Sequence, residues 1–426
     1  MSFFGAALVH NEVVIFLLSI ALMLGLARFL GEVAKQFRQP AVLGEILAGI
    51  ILGPTVLGTI APGWFDGLFP KGGAIEASLS GITNLSLIFF LLVAGMEVDL
   101  SMAWKSGRTA MIVSLMGIVA PFATGFALAW AFPEMMHIAP GISPVVFALF
   151  FGTALCITAL PVISKILMDL ILFRTEVGVI IVSAAIVNDL VGWLLFALVS
   201  SMMGVGGAHP ELWKTIVGTL VFVLVMLTAG RALLHRLLPW LQANTSRTSG
   251  VMGFAMVGAL LCAALTEWIG IHAIFGSFIF GVALGDSRHL KEKIRLSFDQ
   301  FISSVFAPIF FASIGLKVNF LQSFDPLLVI IVLLIATVGK VVGCSYGAVR
   351  GGLPRRDALA VGFGMNARGA MEIVLGLLAL RAGVIEEKLF VALVVMALVT
   401  SMISGATVQK LLAPKRPLNF ADLLSA

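Results

Sequence analysis

Thirteen runs of mostly apolar residues, each about as long as a bilayer's hydrocarbon is thick, follow one another along the chain. Their limits are 12–30, 40–58, 80–97, 108–131, 143–169, 174–201, 213–238, 249–268, 271–286, 297–316, 326–350, 357–382 and 388–412. In lipid every main-chain polar group must be satisfied within the protein, so runs of this length can only be helices. The expectation is therefore an all-α polytopic membrane protein, with 1–426 as a single transmembrane unit. Charged residues make up 12% of the chain, against roughly 25% in a soluble domain, which excludes an ordinary globular fold.

Loop charge tests the count. Twenty Lys and Arg follow odd-numbered runs, among them Lys35, Arg108, Arg231, Lys291, Arg355 and Arg356. Only five follow even-numbered ones: Lys71, Lys214, Lys317, Arg381 and Lys388. The positive-inside rule then sets the C-terminus in the cytoplasm and the N-terminus outside. No basic stretch precedes the first run, which reads as a retained helix and not a cleaved signal. A net charge of +5 spread over short loops is no nucleic-acid footprint. Cys156, Cys262 and Cys344 are dispersed in apolar runs, which predicts small packing residues and neither disulfides nor a zinc site.

The chain repeats itself. Ala41-Val42-Leu43-Gly44 with Gly49 and Gly53 recurs as Ala273-Ile274-Phe275-Gly276 with Gly281 and Gly285. Likewise Ile88-Phe89-Phe90 with Gly95-Met96-Glu97-Val98-Asp99 recurs as Ile309-Phe310-Phe311 with Gly315-Leu316-Lys317-Val318-Asn319. The matched runs stand seven crossings apart, and an odd offset inverts the second copy. Inverted repeats over about 12–201 and 249–412, joined by a linker helix over 213–238, are a transporter signature with the site at the midplane. Discontinuous helices mark such a site. The candidates are the fifth run, with Thr158, Ala159, Leu160 and the helix-breaking Pro161, and the twelfth, with its glycines and Asn366.

Four ionisable side chains fall deep in apolar runs: Asp189, Lys340, Arg368 and Glu372. Asp at a span centre costs roughly 3 kcal/mol on insertion scales, so Asp189 is expected to face water or a partner and to be functional. Lys340, with glycines on either side of it, is its candidate partner. Arg368 and Glu372, four apart, share a helix face and can pair locally. A carboxylate that holds a proton or a cation, but not both, is what cation–proton exchange needs. Asp189, Asn188, Thr158 and Ser183, with unwound carbonyls near Thr158 and Ala159, are the expected oxygen site for a monovalent metal ion, Na⁺ or K⁺. Glu45 reads as an interfacial or funnel residue and not a ligand, Glu97, Asp99, Glu267 and Asp286 as solvated, and His272 as interfacial. No organic cofactor is expected. No Ser/His or Ser/Lys pair stands out, so an intramembrane enzyme is not expected either.

These motifs together resemble the monovalent cation:proton antiporter-2 family, that of Kef-type and plant cation/H⁺ exchanger proteins. The resemblance runs through Gly44-Glu45-Ile46-Leu47-Ala48-Gly49 to Gly53-Pro54, the Thr158–Pro161 break, Asn188-Asp189, Gly339-Lys340 and Asn366–Glu372. It covers essentially the whole chain. It implies the Na⁺/H⁺ antiporter fold with two crossed broken helices, and a homodimer in the membrane. It also implies a core domain, mainly 80–201 and 297–412, and a dimerisation domain, mainly 12–58 and 213–286. The ion would sit on Asp189 with Lys340 beside it, in a prokaryotic inner or plasma membrane.

Two departures matter. Electrogenic relatives carry two adjacent aspartates where this chain has Asn188-Asp189, so one proton per cation and electroneutral exchange are expected. Kef-type proteins usually continue into a nucleotide-binding domain, and no such strand–helix unit follows the last run. A channel-like or symport protein on the same inverted fold, such as an organic-anion symporter, is the alternative; proton–cation competition separates the two.

Overall fold

The computed structural model describes residues 10–37, 39–98, 107–170, 172–173, 175–202, 212–244, 249–287 and 289–412. Asp99 and the C-terminal residues beyond 412 lie outside them. The described residues are helical apart from connecting segments and one isolated antiparallel bridge, Ile138 with Ile385. In order come α1 (His10–Gln36), α2 (Ala41–Leu52), α3 (Leu57–Ile60), α4 (Pro62–Leu68), α5 (Gly73–Met96) and α6 (Gly107–Ala131). Next are α7 (Pro144–Cys156), α8 (Leu160–Asp169), α9 (Glu176–Met202), α10 (Leu212–Val225) and α11 (Arg231–Asn244). The last group is α12 (Ser249–Ile269), α13 (Ala273–Gly285), α14 (Glu292–Gly315), α15 (Pro326–Arg350), α16 (Arg355–Met365), α17 (Ala370–Arg381) and α18 (Glu387–Leu412). A π-helical turn, Met226–Gly230, joins α10 to α11.

Ten helices among the described residues are long and apolar enough to span a membrane, and the bent pair α16–α17 makes an eleventh. Two of the thirteen expected runs therefore come out differently. The fifth is cut into α7 and α8 at residues 157–159. The ninth forms only the 13 residues of α13, about 20 Å of helix against about 30 Å of hydrocarbon. Apolar run length is a measure of composition and does not register where a helix stops.

The helices sort into two bodies. In the first, α2 lies against α14 and α5 against α13, with α1 and α12 flanking. Glycine allows these approaches: a Cβ at Gly49 would collide with the Ala312 carbonyl, and one at Gly281 with the Leu92 carbonyl. Gly44 meets the Leu30 carbonyl in the same way, and Gly276 the Cys262 carbonyl. In the second body α6 packs along α15, and α7, α9, α16, α17 and α18 complete the cluster. The expected core domain grouped runs 80–97 and 297–316 with the helices of the second body. As α5 and α14 they pack on α1, α2, α12 and α13, because their small-residue faces are complementary there.

Two side chains differ from expectation. Asp286, expected to be solvated, has a side chain only 4% exposed and pairs with Arg231 at 2.6 Å. Glu45 is buried between α1 and α2 near Gly31 instead of lining a funnel. Cys156 and Cys344 are buried free thiols and Cys262 is half-buried. Glu97 and Glu267 are exposed, and His272 caps α13.

Candidate functional site: two interrupted helices around Asp189

A helix that stops inside a bilayer leaves orphan carbonyls at one end and orphan N–H groups at the other, with partial charge of matching sign. The site is built from such ends. Helix α7 stops at Cys156, residues 157–159 are extended, and α8 begins at Leu160. Pro161 lies in the first turn of α8, where its missing N–H costs nothing. It starts the second half-helix and does not kink a continuous one, which refines the expected reading. The other interruption separates α16, ending at Met365, from α17, starting at Ala370, with a bend of 42°.

The two breaks touch. The Ala159 N–H donates to the Ala367 carbonyl at 2.9 Å, and the Thr158 hydroxyl donates to the Met365 carbonyl at 3.1 Å. Ser401 of α18 donates its hydroxyl to the Arg368 carbonyl. The C-terminal carbonyls of α7 are taken by buried cations. Arg368 donates to Ala154 O at 3.1 Å and Leu155 O at 2.6 Å, and Lys340 donates to Cys156 O and, at 2.9 Å, to Gly117 O. Each cation thus sits at the negative end of a half-helix, which offsets part of its burial. Glu372 is the mirror case, accepting the Gly369 N–H at 2.8 Å at the start of α17. Its other oxygen lies 3.7 Å from Arg368, both side chains being wholly buried.

Helix α9 runs against the first break, close enough that a Cβ at Gly192 would lie 2.6 Å from Ile157 Cγ1. Asn188 and Asp189 are both buried there. With its amide turned to satisfy both ends, Asn188 donates to Ser114 O and Ala184 O and accepts from Lys340 Nζ at 2.9 Å. Lys340 is therefore held by Asn188 and two main-chain carbonyls. The expected direct pairing with Asp189 is not among the ion pairs of the described residues. Asp189 instead faces the Leu160 amide, the first of α8, and its Oδ1 has no hydrogen-bond partner.

Both amide atoms of Asn366 and the Ser183 Oγ are likewise buried and unpartnered. Such groups are rare in folded proteins and call for an explanation, an ion or water being the usual one. Ser183 stands apart, six residues before Asp189 and thus about 9 Å along α9 and about 120° round it. Sequence proximity had grouped them; helix geometry does not. Among the described residues no three His, Cys, Asp or Glu side chains converge as a metal centre would require. The available donors are a few hard oxygens, which suits a monovalent alkali cation.

A cleft of about 160 Å³ lies between the two bodies. Its mouth carries Glu97 and Asp299, and it reaches Ala159, Arg368, Gly369 and Ser401 at the breaks. Asp189 does not line it.

A family model described as sodium/hydrogen exchanger, transmembrane, matches residues 7–413 of this chain. The chain belongs to the sodium/hydrogen exchanger family. That family is one of membrane transporters. It is 32% identical over 407 residues to the Na(+)/H(+) antiporter NhaS4 of Synechocystis, covering 94% of this chain and 98% of that one. It is 32% identical over 419 residues to Cation/H(+) antiporter 20 of Arabidopsis thaliana, covering 93% of this chain but 48% of that one. The chain thus spans about half the length of the Arabidopsis relative. Among solved structures, the sodium proton antiporter MjNhaP1 of Methanocaldococcus jannaschii superposes with a TM-score of 0.66 at 17% identity, over 95% of this chain and 100% of that one. The exchanger fold is shared at that distance.

Of the residues expected from sequence, this exchanger-family chain brings Thr158, Ala159, Leu160, Asn366, Arg368, Glu372, Lys340, Asn188 and Asp189 to the two breaks or the helix packed on them. Sequence reasoning missed Ser114, the Gly117 carbonyl and Ser401. A serine in an apolar run carries no distinguishing signal, and a main-chain acceptor carries none at all.

Proposed function

We propose that the chain is a secondary active antiporter that exchanges a monovalent cation, Na⁺ or K⁺, for a proton by alternating access. The observation that carries the reading is the buried Asp189 carboxylate with an unpartnered oxygen at the N-terminal end of a half-helix. A carboxylate there is stabilised as an anion by the helix end and destabilised by burial, so it needs a counter-ion, either H⁺ or a metal cation. Thr158, Asn366 and main-chain carbonyls at the breaks supply further oxygens, Ser183 being too far round the helix to share its face. The names of the relatives, Na(+)/H(+) and cation/H(+) antiporters, support the same substrates.

Exchange is electroneutral, one proton per cation, because Asn188 stands where a second carboxylate would be and its amide is engaged by Lys340. Thirteen crossings with the C-terminus cytoplasmic result when α7 with α8, and α13, are counted as spans beside the eleven. The two interrupted helices cross at their breaks, a reading supported by the Ala159–Ala367 hydrogen bond. Inverted repeats over 12–201 and 249–412 are supported by matched close approaches: Gly44 on the Leu30 carbonyl against Gly276 on the Cys262 carbonyl, and Gly49 on Ala312 against Gly281 on Leu92. The exposed apolar residues of α1 and of α10 to α12 face lipid and a second copy of the chain, as a homodimer requires.

Purified protein in vesicles holding an imposed pH gradient tests the reading. Adding Na⁺ or K⁺ should dissipate the gradient. A cation that instead enters together with protons or an organic anion would favour the symport alternative.

A further inference from the structure

Two cavities follow one another along α5. Phe90, Val93, Ala94 and Glu97 line the cleft that reaches the breaks. Asn84, Leu87 and Ile88 line a second cavity of about 470 Å³ towards the other end of the helix. The second cavity is walled by the first body, including Glu267 of α12 and His272 before α13, and Arg381 alone enters it from the second body. Arg381 is the last residue of α17, the half-helix that starts at the break. Its guanidinium donates to Asn84 Oδ1 of α5 at 2.9 Å.

That bond is set apart by where it runs. The bonds of Thr55, Ser277 and Arg28 stay inside the first body, and those of Lys340, Arg368, Ser401 and Thr109 inside the second. Away from the cleft the seam buries apolar residues such as Leu87 and Leu91. Apolar surfaces slide with little directional preference, whereas a charge-assisted hydrogen bond holds one register.

We infer that Arg381–Asn84 is a latch that holds the two bodies together on the face opposite the cleft and must open for the carrier to expose its site there. Arg381 is thus a positioning residue, acting on Asp189 only through the register of the two bodies. Glu267, in the same cavity, accepts the Ala273 N–H at 2.7 Å and offers the guanidinium a carboxylate as it leaves Asn84. The inference rests on the antiport reading above.

The test uses proteoliposomes and cation-driven proton flux. In Asn84→Cys/Arg381→Cys, a thiol-bridging reagent should reduce exchange roughly tenfold or more, a reductant should restore it, and each single-cysteine variant should keep its rate with the reagent. Asn84→Asp, which turns the bond into an ion pair, should lower the maximal rate by about two- to fivefold with KM unchanged, and adding Arg381→Gln should reverse this. Exchange at full rate in the bridged protein, or failure of the two thiols to bridge, overturns the latch. An Asn84→Asp variant with unaltered maximal rate overturns it too. Absence of any cation-dependent proton flux in the unmodified protein would instead sink the antiport reading.

Discussion

The peptide N–H of Ala159 lies 2.9 Å from the carbonyl oxygen of Ala367, so main chain from one interrupted helix closes the break in the other. Two gaps at membrane depth thereby satisfy each other in part, and side chains finish what remains. Arg368 and Lys340 cap the end of α7, while Asp189 and Glu372 stand at the starts of α8 and α17. The charge pattern follows the half-helix ends, positive at carbonyls and negative at amides.

Arg368 should matter for folding more than its neighbour does. Arg368→Met removes the caps on Ala154 and Leu155 and leaves Glu372 without its 3.7 Å partner. The expected cost is about 3–5 kcal/mol, typical of breaking a buried pair from one side. Glu372→Gln, which keeps an acceptor for Gly369, should cost less. Adding it to Arg368→Met should cost less than the sum, because it removes the unpaired charge. Thermal midpoints in detergent for the four proteins of this cycle check the order.

In the proposed exchange, Asn188 in place of a second carboxylate fixes the charge moved per cycle. Flux through the unmodified protein is expected to be indifferent to a potassium–valinomycin clamp of the membrane potential. Asn188→Asp places a second carboxylate within reach of Lys340 and should make exchange voltage-sensitive. Proton flux measured at several clamped potentials decides both expectations.

Asp325 is a stability element away from the ion site. It caps α15 by accepting from the Leu327 and Leu328 amides at 3.0 and 3.1 Å. These bonds, that of Leu328 first, hold its carboxyl below the usual aspartate range, with His137 and Lys388 adding to the effect. A depressed folded value means stabilisation that is present above the unfolded value and lost as pH falls through the folded one. Asp325→Ala should cost about 1 kcal/mol near neutrality. Asp325→Asn keeps a cap, so its thermal midpoint should converge on that of the unmodified protein as the medium is acidified below about pH 4.

Much of this was legible in the chain itself, for identifiable reasons. Spans, breaks and Asp189 stand out because lipid penalises charge and unsatisfied backbone, leaving few exceptions to notice. The repeat was visible because close helix approach restricts Gly44, Gly49, Gly276 and Gly281 to glycine. Lys340 was assigned to Asp189 because opposite charges attract attention, yet its partners are an amide and carbonyls of residues far away in sequence. Ser183 looked close to Asp189 along the chain and is turned away by helical periodicity. The membership of α5 and α14 in the first body depends on which small-residue faces meet, a pairwise property that one sequence does not carry.

The central claim is that Asp189 carries the proton and the cation in alternation. Proton release on adding Na⁺ or K⁺ to the purified protein in weakly buffered detergent solution tests it most directly. The account predicts about one proton released per cation bound, and none in Asp189→Asn with its fold retained. Cation binding without proton release, or release undiminished in Asp189→Asn, would contradict it.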